Sequence, residues 1–136
     1  DMPVFYTKDQ MIIYLNSNQD PFMNGQVRYM INLDDMSIGY IDLYNFDIVH
    51  SRAGVGIFID KKFRKKGIAN KALKTLIEIS NKELHLNQLF AEVFQSNKSA
   101  ISLFEHAGFI LSGLKKQWIR KQEAYEDLLF FQLLNT

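Results

Sequence analysis

The chain has 136 residues, 47% of them hydrophobic, with eighteen aromatic side chains, a formal net charge of +1 and no cysteine. That length and apolar content suffice for the core of a single domain over residues 1–136, the near-neutral charge argues against a general nucleic-acid binder, and the lack of cysteine excludes disulfides, cysteine-held metals and a thiol nucleophile. No apolar run reaches membrane-spanning length and no signal peptide precedes Asp1, so a cytoplasmic location is the default expectation.

In chain order, Thr7 and Gln10 stand at capping-box spacing and predict a helix from Thr7 to Asn18. Val27, Tyr29, Ile31 and Leu33 then alternate with Gln26, Arg28, Met30 and Asn32, the period of a half-buried strand. Asp34-Asp35 predicts a turn into a strand from Met36 to about Tyr44, and Asn45 to Ser51 the next connection. Ala53 to Ile59 reads as an apolar strand feeding the basic loop Asp60 to Gly67. Beyond it, Ala69, Ala72, Leu73 and Leu76 recur at helical spacing, with Asn70, Lys71, Lys74 and Glu78 on the other face. Gln88 to Phe94 reads as a strand. Asn97 fits the N-cap of a helix whose apolar face is Ala100, Ile101, Phe104 and Ala107, and Gly108 fits the residue just past its end. Ile110 to Arg120 and Tyr125 to Leu134 read as two strands joined through Lys121 to Ala124. This order of elements predicts an α/β or α+β sandwich with a mixed sheet.

The stretch from Gly54 to Gly108 carries the chemistry. A loop that opens directly into a helix presents unpaired N–H groups and the positive end of the helix dipole to an anion. Gly67 lets a ligand approach the main chain without a Cβ in the way, and Lys61, Lys62, Arg64, Lys65 and Lys66 add attraction for a pyrophosphate. The loop alone reads equally as a solvated basic turn; the segment Asn97 to Phe109 shifts the balance toward a binding site for a phosphate-bearing cofactor.

Together these pieces resemble the GNAT superfamily of acetyl-CoA-dependent N-acetyltransferases. Its loop signature Arg/Gln-x-x-Gly-x-Gly/Ala is matched by Arg64, Gly67 and Ala69, and its later signature Asn-x-x-Ala-x-x-Leu-Tyr/Phe-Glu-x-x-Gly-Phe from Asn97 to Phe109. Ile38 to Leu43, Asn81 to Leu89 and Trp118 to Leu129 resemble the branch that includes spermidine acetyltransferases and the enzymes acetylating ribosomal-protein N-termini. The likeness covers about residues 7 to 134. It implies a mixed, mostly antiparallel twisted sheet flanked by helices, here lacking the family's first strand and helix. Roughly 20 to 35 upstream residues are expected to be missing, leaving one sheet edge unpaired and part of the acceptor pocket open.

The resemblance also implies acetyl-CoA as acetyl donor. Main-chain groups of Ile57, Phe58 and Ile59 are expected to pair with its pantetheine arm, and amides from Arg64 through Lys65, Lys66, Gly67, Ile68, Ala69 and Asn70 to hold the pyrophosphate. Asn97 is expected at the pantetheine, Lys98 or Ser99 near the adenosine phosphate, and Phe104 where many relatives carry the tyrosine that protonates the departing thiolate. Gly54 stands where the polyamine branch has a glutamate. A primary amine with an ordinary pKa near about 10.4 must lose a proton before it attacks a thioester. Glu92, five residues before Asn97, is the first choice of base by likeness to the ribosomal-protein enzymes. Tyr125, His50 or water complete the proton relay.

Asp42, Asp47 and His50 fall around the strand connection that borders the acceptor groove in relatives and are candidate substrate-binding residues. His85 and His106 are expected to be structural, Trp118 to pack in the sheet, and three scattered histidines give no metal-ligand spacing. The expected partners are a small-molecule amine or a protein N-terminus as acceptor and a second copy of the chain in a homodimer, with no nucleic acid and no membrane. Because Phe104 lacks a hydroxyl and Gly54 a carboxylate, a non-catalytic acetyl-CoA-binding module is the alternative. A polyanion-binding domain built on the Lys61 to Lys66 patch is a third, weaker one.

Overall fold

The computed structural model describes residues 4–6, 11–15 and 25–135. They form strands β1 (Val4–Tyr6), β2 (Met11–Leu15), β3 (Val27–Leu33), β4 (Met36–Asp47) and β5 (Arg52–Ile59), helix α1 (Ile68–Lys82), strand β6 (Gln88–Phe94), helix α2 (Lys98–His106), and strands β7 (Ile110–Lys121) and β8 (Ala124–Leu134). All eight strands share one sheet in the order β1-β2-β3-β4-β5-β6-β8-β7. Every neighbouring pair is antiparallel except β5 and β6. Among the described residues no helix is long and apolar enough to cross a membrane.

Alternation along the strands sends one set of side chains to a single buried face. Ile13, Ile31, Ile41, Leu43, Ala53, Val55, Leu89, Ala91, Val93 and Phe131 lie there with Leu73, Leu76 and Ile79 of α1 and Phe104 of α2. The core therefore sits between this face and the two helices. The opposite face carries Arg28, Tyr40, Asp42, Tyr44, Phe58, Phe90, Glu92 and Phe130, as the register requires.

The strands predicted from β3 onward and both later helices stand where expected. The helix expected over Thr7 to Asn18 does not: Met11 to Leu15 is a strand whose Met11 and Ile13 are buried and whose register runs against β3. Thr7, Gln10 and Asn18 lie outside the described residues. β-Branched and aromatic Ile12, Ile13 and Tyr14 suit a pleated surface, and non-local pairing with β3 outweighs the local capping signal. As a result β3 is paired on both sides, with β2 and with β4. The β4–β5 connection is also tighter than expected, because β4 continues to Asp47 and turns over only four residues, Ile48 to Ser51.

Candidate functional site: a cleft where two parallel strands part

β5 and β6 pair only from Arg52 with Gln88 to Gly54 with Phe90. Beyond Gly54 the two strands separate and leave the outer edge of β5 free. A cleft of about 780 Å³ opens along that edge, lined by β5 (Ile57, Phe58, Ile59), the basic loop (Phe63, Arg64, Lys65, Gly67), the start of α1 (Ala69, Asn70) and one face of α2 with its cap (Asn97, Ser99, Ala100, Ser102, Leu103, His106).

At one end the cleft meets the N-terminus of α1. Gly67 is the N-cap in the left-handed conformation, φ 77°, and no side chain caps the helix. The Lys71 amide reaches back to the Gly67 carbonyl at 3.2 Å; the amides before it belong to the turn that has no intrahelical partner. Lys65 also has positive φ, 62°. Arg64 pins this loop to the strand: its Nε donates to the Ile59 carbonyl at 2.8 Å and its guanidinium lies over the Phe58 ring. That carbonyl points to the cleft edge, and by the two-residue period so do the main-chain groups of Ile57. With Ile59 engaged by Arg64, Ile57 is the place left for a strand-like ligand. Lys66 stacks against Phe63, and Ile68 turns its side chain into the core, leaving its amide at the helix start.

The facing wall is α2. Asn97 caps it, its Oδ1 accepting from the Ala100 amide at 3.1 Å and the Ser99 hydroxyl at 3.2 Å. Its Nδ2 is not needed for the cap. Ser102 and His106 also line the cleft; His106, expected to be structural, is exposed on that wall. Phe104, expected to touch the cofactor, faces the other way: it is buried in edge-on contact with Phe109 at 5.0 Å and takes no part in the lining. The signature helix presents Ser99, Ser102 and His106 to the cleft and Phe104 to the core.

Glu92 lies at the root of the parting, two residues beyond the last paired residue of β6, on the same face as Gly54. Its Oε2 is 3.7 Å from the Lys115 ammonium, which also sits over the Trp118 ring at 4.7 Å. Tyr44 lies beside it: burial first, then the negative charge of Glu92, pushes the Tyr44 hydroxyl up to about 12. Tyr44 meets Phe90 edge-on at 5.7 Å, and Phe90 stacks on Phe130 at 5.3 Å. Neither Tyr44 nor Lys115 was singled out from the sequence. The available signal was Gly54, a glycine inside an apolar strand: a Cβ there would come within 2.5 Å of the Tyr44 ring and 2.9 Å of the Phe90 ring.

The remaining predicted residues are not gathered at the cleft. Tyr125 pairs with Arg120 near the tip of the β7–β8 hairpin, its ring beneath that guanidinium. It is five residues along β8 from the Glu92 partner Phe130, roughly 16 Å at strand rise. Asp47 and His50 lie on the closed side of the parting. Asp47 caps its own turn, accepting from the His50 amide at 2.9 Å and pairing with Arg52 at 3.3 Å. That amide, ahead of the nearby charges, holds its carboxyl below the usual range. Asp42 is on the open side, opposite Gly56, but is gripped bidentately by Arg28 at 2.8 and 2.9 Å, with Arg28 stacked over Tyr40. Trp118, expected to pack in the sheet, is 59% exposed. Among the described residues no group of three or more His, Asp or Glu side chains could hold a metal ion.

A long cleft along a bare strand edge, with a helix N-terminus at one end, suits an extended ligand that carries a phosphate. Residues 2–110 match the acetyltransferase (GNAT) domain, and the chain belongs to that family. It is 31% identical over 101 residues to a putative ribosomal N-acetyltransferase, YdaF, of Bacillus subtilis (strain 168), covering 74% of this chain and 55% of that protein. It is 29% identical over 86 residues to spermidine N(1)-acetyltransferase of Escherichia coli (strain K12), covering 63% and 46%. The crystal structure of spermidine N-acetyltransferase from Vibrio cholerae in complex with CoA and spermine shares the fold, with TM-score 0.78 and 23% identity over 83% of this chain and 68% of that one. The chain spans about half the length of the curated relatives it matches.

Proposed function

We propose that this chain is an N-acetyltransferase domain that moves an acetyl group from acetyl-CoA to a primary amine by direct attack on the thioester. The observation that carries it is the parting of β5 and β6 beyond Gly54 and Phe90, which leaves the β5 edge free beside the α1 N-terminus, with Glu92 two residues past the last pair on β6. The residues present fit acetyl-CoA: amides at Gly67, Ile68 and Ala69 for the pyrophosphate, the Ile57 edge and Asn97 Nδ2 for the pantetheine arm, and Lys65 and Ser99 along the route. Bound there, acetyl-CoA supplies an activated acyl group.

Glu92 takes a proton from the acceptor ammonium, directly or through one water, and so frees the lone pair. The new N–C bond forms as the C–S bond breaks, the thiolate leaves with the sulfur's electron pair, and the nitrogen gives up its second proton to solvent. A thiol with an ordinary pKa near about 8.5 is a tolerable leaving group, so solvent can protonate it without a tyrosine at position 104. Because Asp42 and Asp47 are already engaged by Arg28 and Arg52, the described residues favour an acceptor with one cationic amine, such as a protein N-terminus, over a polyamine needing several carboxylates.

Thiol release in the presence of acetyl-CoA and a panel of peptides, amino acids and polyamines tests this directly. Turnover is expected with at least one single-amine acceptor, and Glu92→Gln is expected to lower kcat by about 100-fold, within the usual range for a general base, while leaving acetyl-CoA binding unchanged. Binding without release for any amine supports the non-catalytic module instead.

A further inference from the structure

We propose that Tyr44 is a positioning residue for Glu92: its hydroxyl orients the Glu92 carboxylate at the mouth of the β5–β6 parting, and glycine at position 54 is what leaves room for it. This rests on the proposed role of Glu92 as base.

The placement follows from register. Tyr44 stands opposite Gly54 on β5, and Gly54 opposite Phe90 on β6. Side chains at 44, 54, 90 and 92 thus share one face of three adjacent strands. A Tyr ring anchored on β4 reaches Glu92 only by crossing over β5, and it does so above Gly54. A Cβ on Gly54 would meet Tyr44 Cζ at 2.5 Å, Cε2 at 2.6 Å and Phe90 Cε2 at 2.9 Å. The hydroxyl-bearing end of the ring therefore covers the Gly54 Cα, and the Phe90 edge fixes its tilt at 84°.

Two groups then converge beside Glu92 on this face: Lys115, whose ammonium is 3.7 Å from Oε2 on the β7 side, and the Tyr44 ring, which crosses over Gly54 from the β4 side. With its ionisation pushed up to about 12, chiefly by burial, the hydroxyl is a neutral donor throughout the working pH range and does not compete for the acceptor's proton. A carboxylate fixed from both sides keeps one lone pair aimed at the cleft. Gly54 is thus the seat of the Tyr44 ring.

The test is Tyr44→Phe, which keeps the ring and removes only the hydroxyl. The expected result is a fall in kcat of about 10-fold with an unchanged KM for acetyl-CoA. Gly54→Ala, which displaces the ring and its hydroxyl together, is expected to reproduce that split, and the double variant to add nothing further. If Tyr44→Phe leaves kcat unmoved while Glu92→Gln is inactive, the hydroxyl has no positioning role and the inference falls alone. If Glu92→Gln retains full turnover, the role of Glu92 falls and this inference with it.

Discussion

At Gly67 a single residue joins backbone conformation to ligand access. Its φ of 77° is one that a β-branched residue adopts only with strain, yet no described atom stands within 4 Å of the place its Cβ would take. Gly67→Val is therefore expected to weaken acetyl-CoA binding at least 10-fold through lost amide access, with a stability cost of about 1–2 kcal/mol for the left-handed conformation. Calorimetric titration and urea unfolding on the same variant separate the two. The proposed phosphate end can be read in the sequence because its features are local: a basic loop, a glycine and a helix start are contiguous in the chain. At the other end the sequence offers Glu92, through its likeness to the ribosomal-protein enzymes, but not the side chains around it. Tyr44, Glu92 and Lys115 come from three strands, so no spacing rule connects them, and Tyr125 was a reasonable hydroxyl with no way to see that the register places it roughly 16 Å along β8. Phe104 was visible as a missing hydroxyl; that it faces Phe109 and the core depends on which side of α2 meets the sheet.

Among the elements, α2 has the most compact dual role, because Asn97 both caps the helix with Oδ1 and lines the cleft. Asn97→Ala is expected to cost about 1 kcal/mol of stability through loss of the cap and to weaken acetyl-CoA binding. Asn97→Asp keeps an equally good cap and removes the amide donor, so stability should hold while affinity still drops; equal affinity in Asn97→Asp and the parent protein would confine Asn97 to capping. The elements legible from sequence were those with strong periodicity, α1 and α2 above all, the latter with its Asn97 cap. β2 was misread because the Thr7–Gln10 spacing is a local cue, whereas Met11 and Ile13 owe their burial to pairing with β3, sixteen or more residues away in the chain. A strand of this kind is fixed by long-range contacts that periodicity over five residues cannot reveal.

Across the whole molecule, the sheet divides the labour between its faces, with the core and both helices on one side and a polar, aromatic-lined face bearing Tyr44 and Glu92 on the other. Partly buried tyrosines make this arrangement sensitive to alkali. Tyr29 and Tyr44 are both pushed up to about 12, by burial first and then by Glu83 and Glu92 respectively. In the unfolded chain they ionise near about 10, so between those values the folded state binds more protons than the unfolded one and unfolding becomes easier as pH rises. Their contribution is complete below about 10 and is lost as pH climbs toward about 12; denaturant midpoints should fall over that window, and less steeply for Tyr44→Phe. The central claim, that the parted strands hold acetyl-CoA, is tested most directly by calorimetric titration of the purified chain with acetyl-CoA, with ATP as the control anion. Saturable micromolar binding of acetyl-CoA that ATP does not match, weakened in Gly67→Val, is the predicted result. Equal affinity for the two, falling steeply with salt, would show that the loop attracts polyanions and that the cleft along β5 is not an acetyl-CoA site.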